Sequence, residues 1–368
     1  HGMFMAQVER IRSHYGICET DVDMPTFPLF ALFSAAIGMT CVIPDMDPTK
    51  PAKVDPKKIV SDIKKYGVTT SFGSPAIWNR VGEYCVKHSL RLPSIKRILM
   101  AGAPVPEYVL KRFKNILSDN ADTFTPYGAT EALPIASISG TERLKTEAKS
   151  RAGAGTCVGK PLVGITIKII KITDDPIPEW KESLLLKRGE KGEIVVKGDS
   201  VTREYFRMKE QTALAKISDD NTLWHRMGDI GYFDKNSRLW FCGRKDHKVI
   251  TKNNTLFTIP CEAIFNRHPD VFRSALVGIG PKKDQQPIII IEPKKGEMPR
   301  FLSRKQFVKE LLETSRRFEH TKDITDVLFC QSFPVDIRHN VKIRREKLAQ
   351  WAKRKMENRR HLTGDSRQ

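Results

Sequence analysis

Several features that define other protein classes are scarce or missing in this chain of 368 residues. Its seven cysteines are scattered, odd in number and never spaced as Cys-x-x-Cys, which argues against a disulfide framework or a zinc ribbon. A cysteine nucleophile stays formally possible, but no cysteine is singled out. We therefore expect reduced thiols in a cytoplasmic protein. The sequence also has no internal repeat and no low-complexity segment.

Long apolar runs are scarce too, and only residues 27–43 come close to the length of a membrane span. This stretch is interrupted by Pro28, Ser34, Gly38 and Thr40. We expect a buried helix that runs into a buried strand, and no transmembrane segment.

The chain starts at His1 instead of Met, and no signal peptide can be recognised. We therefore expect a fragment whose natural N-terminus lies upstream.

Positive charge is abundant, with a formal net charge of +20. It is spread along the chain, and only the end concentrates it, with ten Lys or Arg against three acidic residues from Lys342 onward. Because no basic motif interleaved with aromatic residues accompanies this charge, we do not predict nucleic-acid binding. The basic end is expected to be solvated, and peripheral contact with an anionic membrane stays open.

The length predicts two or three domains. Alternating β-rich and helical runs indicate a layered α/β domain over residues 1–150, and glycine-punctuated strands indicate a β-rich subdomain over 151–244. A small α+β domain is predicted over 245–355, followed by a basic disordered tail over 356–368.

Local signals place individual elements within these domains. Asp55 followed by Pro56 predicts a helix start, and Ser303 is expected to cap a helix that ends at Ser315. Further strands are predicted at Thr69–Phe72 and Ile95–Met100, and further helices at Ala76–His88 and Val105–Leu117.

Three motifs occur in a fixed order. Thr125–Glu131 reads Thr-Pro-Tyr-Gly-Ala-Thr-Glu, Gly228–Tyr232 reads Gly-Asp-Ile-Gly-Tyr, and Arg244 follows Asp229 by 15 residues. Their order and spacing resemble the nucleotide site of the acyl-adenylate-forming, or AMP-binding, enzymes, which include acyl-CoA synthetases, peptide-synthetase adenylation domains and luciferases. The resemblance implies the fold of that superfamily, incomplete at the N-terminus, and activation of a carboxylate by ATP.

The resemblance also implies roles for the first motif. Tyr127, with Gly128, would lie against the adenine, Thr130 would reach the phosphate, and Glu131 would ligate Mg²⁺. A carboxylate is a suitable ligand for that hard cation. The small-residue loop Ala101-Gly102-Ala103-Pro104 matches the segment beside the adenine, where the backbone approaches closely.

By the same resemblance, Asp229 would accept hydrogen bonds from the ribose hydroxyls and Arg244 would contact the ribose or the phosphates. Asp246 matches the hinge about which the C-terminal domain of these enzymes rotates. From the residues alone we expect Asp229 to lie in a turn. The alternative to a ribose-binding role is that Asp229 only stabilises this turn as an ordinary Asx-turn.

Lys342, in the segment Phe333–Ile343, best matches the C-terminal lysine that stabilises charge during adenylation. Val341 replaces the glycine that usually precedes this lysine. The alternative that Lys342 is an ordinary surface lysine therefore stays open.

Residues 24–30, 259–265 and 333–348 narrow the resemblance to the β-lactone-forming members of bacterial long-chain olefin biosynthesis. Pro28 stands where many acyl-CoA ligases have histidine. This resemblance implies that a long-chain β-hydroxy fatty acid is adenylated with ATP and Mg²⁺ and that its own hydroxyl then displaces AMP, with possible contacts to other enzymes of the olefin pathway.

Two alternatives remain. One is a long-chain acyl-CoA ligase, which would need CoA. The other is an inactive remnant, because the Ser/Thr/Gly-rich phosphate loop of the superfamily is not found in the chain and is expected upstream. This chain alone is therefore expected to bind nucleotide poorly.

Overall fold

The computed structural model describes residues 1–294, 301–335 and 343–363. The described chain forms two compact units. The first comprises His1–Glu147 and Cys157–Trp240, and the second comprises Ala148–Thr156 with the described residues from Phe241 onward. The domain limits expected from composition stay a prediction.

The first unit begins with alternating helices and strands and continues with mainly strands. Its helices are α1 Gly2–Tyr15, α2 Ala31–Ile37, α3 Pro56–Tyr66, α4 Pro75–Lys87, α5 Glu107–Ile116, α6 Gly140–Lys149 and α7 Lys209–Ala215. Its strands are β1 Val22–Asp23, β2 Thr40–Cys41, β3 Thr70–Gly73, β4 Arg97–Met100, β5 Asp122–Ala129, β6 Ala132–Ser139, β7 Thr156–Pro161, β8 Thr166–Ile170, β9 Gly192–Lys197, β10 Lys216–Asp219, β11 Thr222–Phe233 and β12 Leu239–Arg244. The last residues of α6 and β12, and the first residue of β7, belong to the second unit.

These strands form one mixed sheet in the order β2-β1-β3-β4-β5-β6-β7-β12-β11-β9-β8, with β10 added to β11. The strands from β2 to β5 run parallel, whereas β5 pairs with β6, and β9 with β11, in antiparallel fashion. Parallel strands joined by helices, followed by antiparallel strands, confirm the predicted layered α/β fold with a β-rich part. In such sheets, ligands bind beyond the carboxyl ends of the parallel strands.

Local sequence signals account for the helix starts. Asp55 accepts a hydrogen bond from the Lys57 N–H at 2.9 Å, and Pro56 occupies the first helical position of α3, as predicted. Ser74 and Pro75 repeat this arrangement at the start of α4. Residues Ile59, Val60 and Ile63 are buried in the core beneath the parallel strands.

The apolar stretch 27–43 differs from the expectation of a buried helix and strand. It forms α2 and β2, but Leu29, Leu32 and Ile43 are 71%, 53% and 66% exposed. The prediction of complete burial was wrong because α2 directs only some of its apolar side chains, such as Phe33 and Ile37, into the unit, where they line a cavity.

The second unit has a three-stranded sheet covered by helices. Its elements are β13 Val249–Ile250, β14 Thr255–Leu256, α8 Thr258–Phe265, β15 Val271–Ile279, β16 Gln286–Pro293, α9 Phe301–Ser315, β17 Asp326–Phe329 and α10 Arg345–Thr363. The sheet order is β15-β16-β17, with β15–β16 antiparallel and β16–β17 parallel. This confirms a small α+β unit.

Two details of the second unit differ from the sequence-based expectation. Ser303 lies inside α9 instead of capping it, because the helix begins at Phe301. The tail expected to be disordered from residue 356 is helical as far as Thr363. Met356 explains part of this difference, since its buried side chain packs with Leu348 and Ala352 against β15 and β16.

In the part of the chain that the structure describes, no helix has both the length and the apolar character needed to cross a membrane.

Candidate active site

The hairpin of β5 and β6 presents the first motif. Ala129 pairs with Ala132, so Thr130 and Glu131 form the two-residue turn between the strands. The register shifts between Tyr127 and Ala129, and a Cβ atom on Gly128 would lie 2.5 Å from the Ala132 carbonyl oxygen. Glycine is therefore required at position 128 because any side chain would collide with the opposite strand.

Tyr127 and Asp229 meet across 102 residues of sequence. The Tyr127 hydroxyl donates a hydrogen bond to Asp229 Oδ2 at 2.6 Å, and Asp229 is 6% exposed. The structure thus brings together two residues that the sequence assigned to one nucleotide site.

Asp229 does not lie in the expected turn. It belongs to β11, where the pairing with β9 shifts between Arg226 and Ile230 and Gly228 has φ of 63°. The register shift and the positive φ of Gly228 together indicate a β-bulge at the Gly-Asp pair, within a continuous strand. Such a bulge adds to the length of one strand and redirects the side chain that follows it.

Glu131 is fixed by the segment that follows β9. Tyr205 donates its hydroxyl hydrogen to Glu131 Oε1 at 2.8 Å, and the Thr202 N–H donates to the Glu131 carbonyl at 2.9 Å. Burial acts to raise the pKa of Glu131, but the Tyr205 hydrogen bond and the nearby Lys216 and His225 outweigh it, so the pKa lies below its usual value. The carboxylate is therefore ionised near neutral pH.

Behind this contact lies a buried lysine that sequence reasoning missed. Lys216 Nζ donates to the Thr202 hydroxyl at 2.9 Å and to the Thr202 carbonyl, and Lys216 is 9% exposed. Burial lowers the pKa of Lys216 to about 8, with the Glu131 carboxylate opposing that shift. No motif marks Lys216, because its proximity to Glu131 arises only when β10 pairs with β11.

His225 is the partner of Lys216 in that strand pairing. It is 3% exposed, and its Nδ1 lies 3.2 Å from the Ala215 carbonyl oxygen. Burial and the Lys216 charge lower the pKa of His225 to about 4. The imidazole is therefore neutral at physiological pH and adds no positive charge beside the Lys216 ammonium.

The small-residue loop 101–104 follows β4 at the carboxyl end of the parallel strands. The Ala101 N–H donates to the Gly73 carbonyl at 3.1 Å, and Gly102 has φ of 88°, a conformation that favours glycine. The loop thus exposes backbone at the edge where ligands bind in such sheets.

An apolar cavity adjoins the hairpin in the first unit. Pro126, Leu133 and Pro134 of the hairpin contribute to its wall. The remaining wall is formed mainly by apolar side chains of α1, α2, β3 and β4, among them Ile11, Tyr15, Phe33, Ile37, Phe72 and Leu99. A pocket of this composition suits an alkyl chain.

The other predicted residues lie in the second unit or beyond the described chain. Arg244 ends β12 and Asp246 lies in the short helical turn Lys245–His247, both exposed. Lys342 lies outside the described residues. The predicted nucleotide contact of Arg244, the role of Lys342 in adenylation and the hinge role of Asp246 stay predictions.

Glu131 has the chemistry of a Mg²⁺ ligand. Its carboxylate is ionised, partly exposed and held by Tyr205 through one oxygen. Among the described residues, no group of three or more His, Cys, Asp and Glu could hold a metal ion. A single carboxylate fits Mg²⁺ bound mainly by substrate phosphates and water.

Taken with this site, residues 17–206 match the family described as AMP-binding enzyme, and the chain belongs to that family. Solved structures share its fold. The amide bond synthetase McbA from Marinactinospora thermotolerans superposes with a TM-score of 0.74 at 22% identity, covering 95% of this chain and 66% of that one. The O-succinylbenzoate coenzyme A synthetase of Bacillus subtilis, solved with ATP and magnesium ion, gives a TM-score of 0.70 at 22% identity, covering 94% and 65%.

Two curated relatives are more similar in sequence. The olefin β-lactone synthetase of Xanthomonas campestris is 44% identical over 96% of this chain, and that of Stenotrophomonas maltophilia is 43% identical over 98%. The chain spans 63% and 64% of the length of these relatives. A long-chain-fatty-acid–CoA ligase of Thermus thermophilus is more distant, with 24% identity over 77% of this chain and 50% of that protein.

Proposed function

We propose that the protein containing this chain uses ATP to adenylate a long-chain β-hydroxy fatty acid and closes the product to a β-lactone. The observation that carries the proposal is the hairpin of β5 and β6. One part of it holds Tyr127 against Asp229 and Glu131 against Tyr205, and another part lines the apolar cavity. Polar groups suited to a nucleotide and an apolar pocket suited to an alkyl chain therefore share one element.

The reaction has two steps. A carboxylate oxygen of the acid attacks the α-phosphorus of ATP, and the bond to the β-phosphate breaks, so pyrophosphate leaves. The β-hydroxyl then attacks the acyl carbon and its proton passes to solvent, the bond to AMP breaks, and a four-membered lactone forms. AMP and pyrophosphate are the products beside the lactone.

The chain's own residues position the reactants. Asp229, oriented by Tyr127, would accept hydrogen bonds from the ribose, and Tyr127 would face the adenine. Thr130 lies in the exposed turn, where its hydroxyl would contact phosphate. Glu131 would hold Mg²⁺, which neutralises phosphate charge when bound. Lys342 would stabilise charge on the reacting carboxylate, and Arg244 the ribose or phosphates.

The full-length protein with ATP, Mg²⁺ and a long-chain β-hydroxy acid, in the absence of CoA, tests the proposal. We expect AMP release and a lactone, identified by mass spectrometry, with a loss of about a hundredfold or more in rate for Glu131→Gln. Glu190→Gln is a matched control, because this glutamate is exposed and distant in sequence from the site.

Two other results would contradict the proposal. A thioester that appears only when CoA is added would identify an acyl-CoA ligase. If no AMP forms with or without CoA, an inactive remnant is the better explanation.

A further inference from the structure

The apolar cavity also has polar lining residues, Asp23, Thr70 and Ser71. Of the residues lining this cavity in the described chain, Asp23 alone carries a carboxyl group, and it is 7% exposed. Ser34, which is fully buried on α2, donates its hydroxyl hydrogen to Asp23 Oδ2 at 2.5 Å. The hydrogen bond from Ser34 offsets part of the cost of burying this carboxyl, so the pair forms a stable polar group within a mainly apolar wall.

Strand register places Asp23 far from the hairpin. Asp23 pairs with Thr70 of β3. Two residues further along β3, Phe72 pairs with Leu99 of β4, which in turn pairs with Phe124 of β5. Pro126, where the cavity meets the hairpin, lies two residues beyond Phe124. Asp23 is thus four residues, about 13 Å, behind Pro126 along the strand direction.

We propose that Asp23, held in place by Ser34, forms a polar floor of the acyl cavity and determines the longest alkyl chain that the site accepts. This inference rests on the proposed function, which puts the substrate carboxylate near the hairpin and its chain in the cavity. The chain then runs between α1, α2 and the sheet and ends at the polar floor.

Desolvation is the physical reason for this limit. Each methylene that leaves water for the apolar wall strengthens binding by about fourfold. A terminal methyl pressed against Asp23 would instead remove water from a carboxyl group and provide no hydrogen bond in return. The increase in binding affinity per methylene should therefore stop, and then reverse, at the alkyl chain length that reaches the polar floor.

Binding of a series of straight-chain saturated fatty acids to the full-length protein, measured by calorimetry, tests the inference. For the natural protein we expect affinity to rise by about fourfold per methylene and then to fall at a limiting length. Asp23→Leu replaces the carboxyl by an apolar group of similar size, so the increase should continue by one or more methylenes. The matched control Asp119→Leu, at an exposed position, should keep the natural limit.

A second measurement does not depend on how a variant folds. At the limiting length, the natural protein should bind an acid that carries a terminal hydroxyl more tightly than the plain acid, because the hydroxyl can donate to Asp23.

Three results would overturn the inference. An unchanged limit in folded Asp23→Leu, or no preference for the terminal hydroxyl, rejects the polar floor while fatty-acid binding stands. Absence of binding at every chain length rejects the acyl cavity, and the polar floor with it.

Discussion

At the scale of single residues, Glu131 depends on neighbours that no motif contains. Tyr205 holds one carboxylate oxygen, and Lys216 holds Thr202, whose N–H in turn binds the Glu131 carbonyl. Lys216 therefore acts on Glu131 through Thr202 as a positioning residue. Groups behind a metal ligand commonly affect metal affinity by tenfold or more.

Lys216→Met is expected to weaken Mg²⁺ binding in the presence of ATP by about tenfold, because Thr202 loses its ammonium partner and the turn loosens. Lys216→Arg should restore part of the loss, since it keeps the charge. The measurement is the Mg²⁺ half-saturation of ATP binding by the full-length protein. Lys209→Met, at an exposed position, should leave that half-saturation unchanged. An equal half-saturation for Lys216→Met would reject the positioning role.

At the scale of elements, the bulge that carries Asp229 follows a buried ion pair. Arg226 of β11 donates to Glu193 of β9 at 2.7 Å, and their side chains are 2% and 0% exposed. Arg226 also donates to the carbonyl oxygens of Asp175 and Leu214 at 2.8 and 3.0 Å. One side chain thus ties two strands, helix α7 and the connection between β8 and β9 together beside the bulge.

Arg226→Met is expected to lower the free energy of unfolding of the first unit by about 3 to 5 kcal/mol, since Glu193 would be left charged and buried. Urea denaturation of the two single variants and of Arg226→Met with Glu193→Leu measures the coupling between them. The double variant should lose less stability than the sum of the losses in the two single variants. Additive losses would mean that the ion pair itself contributes little.

At the scale of the whole first unit, two buried groups have opposite effects on the free energy of unfolding as the pH falls. Burial raises the pKa of Asp23 to about 6, against the hydrogen bond from Ser34, which lowers it. Its stabilising contribution is therefore present at low pH and lost as pH rises from 3.8 through 6. His225 has a folded pKa of about 4, so its contribution is present above 6.5 and lost as pH falls to 4. Between pH 4 and 6 the two effects largely cancel.

Asp23→Asn removes one of these opposing effects. We expect this variant to lose roughly 2 to 3 kcal/mol more stability than the natural chain on acidification from pH 6.5 to 4, because His225 then titrates without compensation. Denaturant unfolding at a series of pH values measures the difference. Adding His225→Gln should abolish the extra loss, and parallel stability curves for Asp23→Asn and the natural chain would contradict the expectation.

Local signals were enough to predict the alternation of helices and strands and the helix cap at Asp55. The order of the nucleotide motifs could be read directly from the sequence. The helices, strands and cap depend on backbone preferences and on short segments whose neighbours lie close in sequence. The same signals failed at Asp229, where a turn was expected, because a bulge is defined by the strand that pairs with it. They also failed for the apolar stretch 27–43, whose exposure depends on what packs against each face of α2.

The motifs, through the family resemblance that they carry, thus determined the family of the chain and predicted the kinds of residue in its site. Tertiary structure alone decided that Tyr127 bonds to Asp229, that Lys216 supports the turn of Glu131, and that Asp23 lies in an apolar cavity. The reason is physical. Each of these contacts joins residues far apart in the chain, and burial, which makes the charges of Lys216 and Asp23 consequential, exists only after the strands have paired and the helices have covered them.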